Sequence, residues 1–255
     1  MRGGAQSHLM RCDDGSYYVV KFQNNPQHRR VLVNELLGTR LAARLGLPTA
    51  PSAVIEVRKE LIENTTELVM QVGVARNPCV TGFQFGSRYP GDPARLAVYD
   101  FLPEERLAAV ENLHDFAGIL AFDKWVCNTN GRQAVFFVDP GETRYRALMI
   151  DQGFCFNAGA WTFPDAPLRG IYTRVRVYDG VKGMEAFEPW FERIARLAQP
   201  QELDKLSSEI PPDWYEGDTA ALYDLLDRLR RRPERLPELI LDAKKSYRQP
   251  FRNWN

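Results

Sequence analysis

Apolar positions follow two different periods along the first 60 residues. Tyr17, Val19 and Lys21 alternate with Tyr18, Val20 and Phe22, and this period of two predicts a strand over 17–22. Asp13-Asp14-Gly15 ahead of it is a turn signal, because glycine accepts the positive φ of a chain reversal. Val33, Leu36, Leu37, Leu41, Ala42 and Leu45 fall at helical spacing and predict a helix over 30–45, stopped by Gly46 and Pro48. Strands are also predicted at 51–57 and 67–74. Over 77–93 the breakers Pro78, Gly82, Gly86, Pro90, Gly91 and Pro93 predict a loop joining two parts of the chain, with Phe83, Phe85 and Tyr89 packing it down.

The second part reads differently. A helix is predicted over 103–127, begun by Pro103 and the acidic pair Glu104 and Glu105, with Phe116, Ile119, Leu120 and Asp123 on one face. Two short strands at 133–138 and 145–150 flank Pro140-Gly141, a hairpin signal. Helices are predicted near 184–197, 200–208, 217–230 and 235–247. The basic run Arg228-Leu229-Arg230-Arg231-Arg232 lies among acidic residues and reads as a solvated helix end. The fold class is therefore α+β: a β-rich lobe with one long helix over 1–93, and a mainly helical lobe over 94–255.

Composition narrows the function classes. The 33 Lys+Arg balance 33 Asp+Glu, so there is no strong nucleic-acid signal. No run of about 18 apolar residues marks a membrane span, and the first residues lack the apolar core of a signal peptide, so the expected compartment is cytoplasmic. Cys12, Cys79, Cys127 and Cys155 form no C-x-x-C pair, and His8, His28 and His114 stand far apart, which gives no zinc pattern.

Three features carry possible chemistry. Lys21 on a strand and Glu35 on the following helix suit a phosphate-gripping cation and its orienting carboxylate. Phe122-Asp123-Lys124-Trp125-Val126-Cys127-Asn128-Thr129-Asn130-Gly131-Arg132 ends a helix, and Asp123 and Asn128 have the D-x-x-x-x-N spacing that kinases use for a base and a metal-holding amide. Its plainer reading is a helix end in which Asn128 and Asn130 form the cap and turn, with Asp123 tied to Arg132. Ile150-Asp151-Gln152-Gly153 ends an apolar strand in a carboxylate, a hard oxygen ligand suited to Mg²⁺. Its plainer reading is an Asx-turn. The order of these features along the chain is that of a kinase-type phosphotransferase.

Gly3-Gly4-Ala5-Gln6-Ser7-His8, Gly15 to Phe22, Val33-Asn34-Glu35-Leu36, Leu41 to Pro48, Phe122-Asp123-Lys124-Trp125 with Asn128-Thr129-Asn130, and Ile150-Asp151-Gln152-Gly153 together resemble the HipA-like kinases, an atypical kinase family similar to phosphoinositide kinases. The resemblance implies a two-lobed kinase-like fold. It also implies ATP and Mg²⁺ as cofactors, and transfer to a hydroxyl-bearing acceptor such as a protein. By the same resemblance Gly3, Gly4 and Gln6 match the phosphate-covering segment, Lys21 and Glu35 the nucleotide-binding pair, and Asp151 the metal ligand.

Two departures stand out. The family's Asn-x-Asp-Arg loop has Asn130 and Gly131 at its Asp and Arg positions, and Val135 near the position of its later Asn. An amide has no basic lone pair and cannot act as a general base at neutral pH. Either Asp123 supplies the carboxylate and Asn128 holds metal in a shifted register, or the chain is a catalytically impaired, nucleotide-dependent binding module. The second departure is at the start. Only two residues precede Gly3, so either 7–12 is the first strand by itself or another strand lies upstream.

Overall fold

The computed structural model describes residues 6–255. The first hairpin forms as the turn signal requires: β1 (His8–Arg11) pairs antiparallel with β2 (Tyr17–Lys21). The long helix α1 spans Val31–Arg44. It is followed by β3 (Ser52–Val57), the short exposed helix α2 (Lys59–Asn64) and the hairpin β4 (Val69–Val72) and β5 (Ala75–Pro78).

The segment expected to be a connecting loop is instead largely strand. β6 (Gly82–Arg88) lies between β2 and β3 in a four-stranded antiparallel sheet of order β1-β2-β6-β3. Gly86 misled the reading. It is not a breaker but a packing residue: a Cβ there would collide with Ile55 and press on the Tyr18 ring, so glycine lets two neighbouring side chains close over the strand.

The predicted helix over 103–127 is also broken, into α3 (Glu104–Leu107) and α4 (Asp115–Trp125). The chain between them pairs with a strand entrance instead. Glu111 N donates to Tyr145 O at 2.8 Å, and the Asn112 side chain both donates to Ala147 O at 3.0 Å and accepts from Ala147 N at 2.9 Å. Asn112 thus imitates a backbone strand partner, which helical geometry cannot offer.

The third hairpin, β7 (Gln133–Phe137) and β8 (Arg146–Ile150), falls where expected. So do the four last helices: α5 (Glu188–Leu197), α6 (Pro200–Ser207), α7 (Thr219–Arg231) and α8 (Leu236–Lys245). Pro sits in the first turn of α5, α6 and α8, where its missing N–H costs no helical bond. The basic run is not wholly solvated. Arg232 is buried, donating to Lys124 O at 2.7 Å and Phe163 O at 3.1 Å and pairing with Asp165 at 3.1 Å.

Two apolar cores result. Val20 and Val57 of the sheet, and Phe22 just after β2, pack with Leu68, Met70 and Cys79 in the smaller one. The larger runs from α1 through α4 to α8. α1 is buried nearly all round because it lies between the sheet and the helical part, packing on β3 and β6 on one side and α6 on the other. The two parts are tied beside the hairpin, where Met149 N donates to Pro48 O at 2.8 Å. The architecture is the expected two-lobed α+β arrangement, with β2, α1 and the end of β8 converging on one place.

Candidate active site

Lys21 ends β2, and its ammonium reaches across to α1 and to the residue after β8. Its Nζ donates to Glu35 in a buried ion pair and to Asp151 Oδ1 at 2.8 Å. Three residues separated by up to 130 positions therefore meet in one charged cluster. Burial works against the Lys21 ammonium, but the charges of Glu35 and Asp151 outweigh it and hold its pKa above the ordinary lysine value. Burial pushes Glu35 up, with Lys21 opposing. Asp151 feels burial too, yet Lys21 beside it holds its carboxyl below the ordinary value, so it stays ionised.

Asp151 has a left-handed backbone, φ +60°, an unfavourable conformation for a residue with a Cβ. The chain after it is held down by α1. Glu35 accepts from Gln152 N at 3.0 Å and Gly153 N at 2.9 Å. The Asn34 amide nitrogen lies within 2.8–2.9 Å of the carbonyls of Gly153, Cys155 and Ala158, while its oxygen accepts from Trp161 Nε1 at 2.8 Å. Arg30 stacks over the Trp161 ring at 4.1 Å. Phe156, Asn157, Ala158 and Trp161 all have positive φ, so this clamp holds a run of backbone that would not keep its shape alone.

A hollow of about 640 Å³ lies further along the same strands. Its walls include Arg11, Tyr17, Pro51, Arg88, Tyr89 and Leu148. Tyr17 and Lys21 lie on one face of β2 four residues apart, and Leu148 precedes Asp151 by three. The hollow is thus roughly 10–13 Å from the charged cluster, at the usual rise of a strand.

Asp123 and Asn128 belong to a neighbouring cluster built on Arg132. The Asp123 side chain is 0% exposed, against 18% for Asp151. Arg132 grips it with two nitrogens: Nε donates to Oδ2 at 2.9 Å and Nη2 to Oδ1. Asn128 Nδ2 donates to the same Oδ1 at 3.0 Å. Gly170 closes the last side, since a Cβ there would strike the Asp123 Cβ. Arg132 also donates to Ile150 O at 2.9 Å, so the cluster braces the strand that ends in Asp151. Burial opposes the Arg132 charge, but Asp123 prevails and holds its pKa above the ordinary value.

Asn130 is exposed, with its Oδ1 turned onto Gly131 N at 2.9 Å. Gln6 exchanges hydrogen bonds with the backbone of Gln71, accepting from its N at 2.6 Å and donating to its O at 2.7 Å, so its amide is engaged with β4. Gly3 and Gly4 lie outside the described residues. Sequence reasoning missed Gln133, whose Nε2 donates to Asp151 Oδ2 at 2.9 Å, and the clamp role of Asn34. A polar residue inside the apolar face of a helix was the available signal for Asn34; nothing in the spacing pointed to Gln133.

The donors suit a magnesium ion carried by a nucleotide. Asp151 offers a hard carboxylate with a solvent-facing edge, and among the described residues no group of three or more His, Cys, Asp or Glu could hold a metal unaided. Mg²⁺ is commonly held this way, by one or two carboxylates with phosphate oxygens completing the shell.

Comparison with solved structures finds the same fold in kinases of low sequence similarity. The Helicobacter pylori proinflammatory kinase CtkA matches at 12% identity with a TM-score of 0.51, over 96% of this chain and 94% of that one. HipA of Shewanella oneidensis MR-1, solved in a complex with HipB and operator DNA, matches at 12% identity with a TM-score of 0.54, over 96% of this chain and 67% of that one. No curated protein matches the sequence. The model of the HipA-like kinases, however, matches residues 1–157, most of the chain and all of the cluster around Lys21, Glu35 and Asp151, and the chain therefore belongs to the HipA-like kinase family.

Proposed function

We propose that this protein binds Mg·ATP between its lobes, 1–93 and 94–255, and transfers the terminal phosphoryl group to a hydroxyl of a protein or small molecule. The observation that carries the reading is the Lys21–Asp151 contact of 2.8 Å, which joins a strand ammonium and a partly open carboxylate in one cleft. Lys21 would bind phosphate oxygens, Glu35 would hold Lys21 in place, and Asp151 would hold the magnesium. The ion, when bound, neutralises charge on the phosphates. The base would lie in the hollow walled by Tyr17 and Leu148. By family resemblance Gly3 and Gly4 would cover the phosphates.

In this reading Asp123 and Asn128 are supports rather than reacting groups, because Arg132 occupies both oxygens of the carboxylate. Asn130 sits at the position of the proton acceptor and can only orient an acceptor hydroxyl. Phosphoryl transfer relies mainly on positioning and charge neutralisation, so it survives this loss at a rate lower by about 10²–10⁴-fold, the usual contribution of a general base. The sealed state of Asp123 favours a second reading, a nucleotide-switched binding module with no turnover.

Release of labelled phosphate from ATP, or its transfer to candidate acceptors, separates the two. Slow Mg²⁺-dependent turnover that Asp151→Asn abolishes supports the enzyme. Saturable nucleotide binding with turnover no faster than the buffer supports the module.

A further inference from the structure

The amide that kinases place beside the metal-binding aspartate is missing from its expected position. Val135 stands there, facing Leu148 across the hairpin with a side chain that has no donor atom. Gln133 lies two residues earlier on the same face of β7. The register pairs it with Ile150, immediately before Asp151. The shift of two residues along a strand carries the position about 6.6 Å toward the end where Asp151 sits.

The Gln133 side chain uses that placement. Its Nε2 donates to Asp151 Oδ2 at 2.9 Å, while Lys21 holds Oδ1 at 2.8 Å. The neighbouring amides are engaged elsewhere: Asn128 on Asp123, and the oxygen of Asn130 on Gly131 N. Gln133 is exposed, so its amide can turn. Half a rotation replaces the N–H₂ by the carbonyl oxygen, a neutral hard donor of the kind Mg²⁺ accepts.

We propose that Gln133 is the second protein ligand of the nucleotide-borne divalent cation, sharing it with Asp151. The metal-side amide has thus moved from 135 to 133. Without a cation, the Gln133 N–H₂ caps the Asp151 oxygen; with one, the amide turns and presents oxygen. This inference rests on the nucleotide-binding reading above, and its test separates the two.

Mn²⁺ is titrated into protein saturated with a non-hydrolysable ATP analogue, and free Mn²⁺ is followed by electron paramagnetic resonance. Nucleotide affinity without metal is measured beside it. Gln133→Ala is expected to weaken Mn²⁺ binding roughly tenfold or more, leaving the metal-free nucleotide affinity within about twofold. Gln133→Glu, which keeps an oxygen but cannot donate to an ionised Asp151, is expected to bind Mn²⁺ at least as tightly as the parent. If Gln133 only orients Asp151 by donating to it, Gln133→Glu weakens Mn²⁺ as Gln133→Ala does, and the ligand role is overturned. Unchanged Mn²⁺ affinity in Gln133→Ala overturns it as well, while the nucleotide reading stands. A wild-type protein that binds no nucleotide overturns both.

Discussion

Two buried ionic clusters meet the end of β8, and they differ in how open their carboxylates are. At Asp123 every carboxylate oxygen is taken by Arg132 and Asn128, and the side chain has no exposed surface. At Asp151 one oxygen faces Lys21, the other an exposed amide that can turn away, and the side chain is 18% open. From the sequence, Asp123 was a candidate catalytic carboxylate or a partner of Arg132, and Asp151 a candidate metal ligand or an Asx-turn. On the proposed reading one is a brace and the other, partly exposed, receives the metal. A carboxylate in a catalytic-looking spacing is informative only when an oxygen remains for something outside the protein.

The largest expected effect tests the brace. Arg132→Met leaves Asp123 charged, buried and unpaired, and is expected to lower stability by about 4 kcal/mol, in the range for breaking a buried ion pair. Urea denaturation measures it. A loss below about 1 kcal/mol would show that solvent reaches Asp123, and the distinction between the two clusters would fail.

The converse test belongs to the open cluster. Lys21→Met is expected to weaken Mg·ATP binding by about a hundredfold, near 2.7 kcal/mol, whereas Asp123→Asn destabilises the fold but leaves the affinity of the folded fraction within a few fold. Equal losses of affinity in both variants would mean that Asp123 touches the nucleotide after all.

Asn34→Ala removes the amide whose two N–H donors lie among three carbonyls of the chain after Asp151. It is expected to cost about 2 kcal/mol and to speed amide exchange across 153–161 more than in α4. Uniform exchange changes would argue against a local clamp.

Gly38 packs directly on Gln152, where a Cβ would come within 2.9 Å of the Gln152 Cβ. Gly38→Ala is expected to cost about 1–2 kcal/mol by pushing α1 off the Asp151 segment.

The smallest effect is in pH. Lys21 has a raised pKa, so its contribution is complete below its unfolded value of 10.5 and is lost as pH rises through the higher folded value. Asp151 has a lowered one, so its contribution is complete above 3.8 and is lost as pH falls through the lower folded value. Between about pH 5 and 9 the Lys21–Asp151 pair itself is expected to add no slope to stability. In a Glu35→Gln background, which removes the buried carboxyl that would titrate once Lys21 is gone, adding Lys21→Met and Asp151→Asn isolates that contribution; a difference that changes steadily across this window contradicts the assignment.

Much of this was legible in the chain. The strand of Lys21, the helix of Glu35 and the hairpin ending at Asp151 all have regular apolar periods, and local periodicity survives folding when both neighbours agree with it. β6 was not legible, because Gly82 and Gly86 read as breakers until Ile55 and Tyr18 are seen packing over Gly86. The break between α3 and α4 was hidden for a similar reason, since pairing with residues 145–147 overrides local helical preference. Within the site, Lys21, Glu35 and Asp151 were named from order along the chain. The sealing of Asp123 was not decidable there, because it depends on Arg132 and Gly170 closing around it in space.

The most direct measurement is a calorimetric titration of ATP into the folded protein, with Mg²⁺ and with a chelator, repeated on Asp151→Asn. One site whose affinity depends on Mg²⁺ in the wild type, and no longer does in the variant, is the expected result. No heat from a cooperatively folded wild type, or a Mg²⁺ dependence unchanged in Asp151→Asn, would contradict a cleft built to hold a metal-bound nucleotide between Lys21 and Asp151.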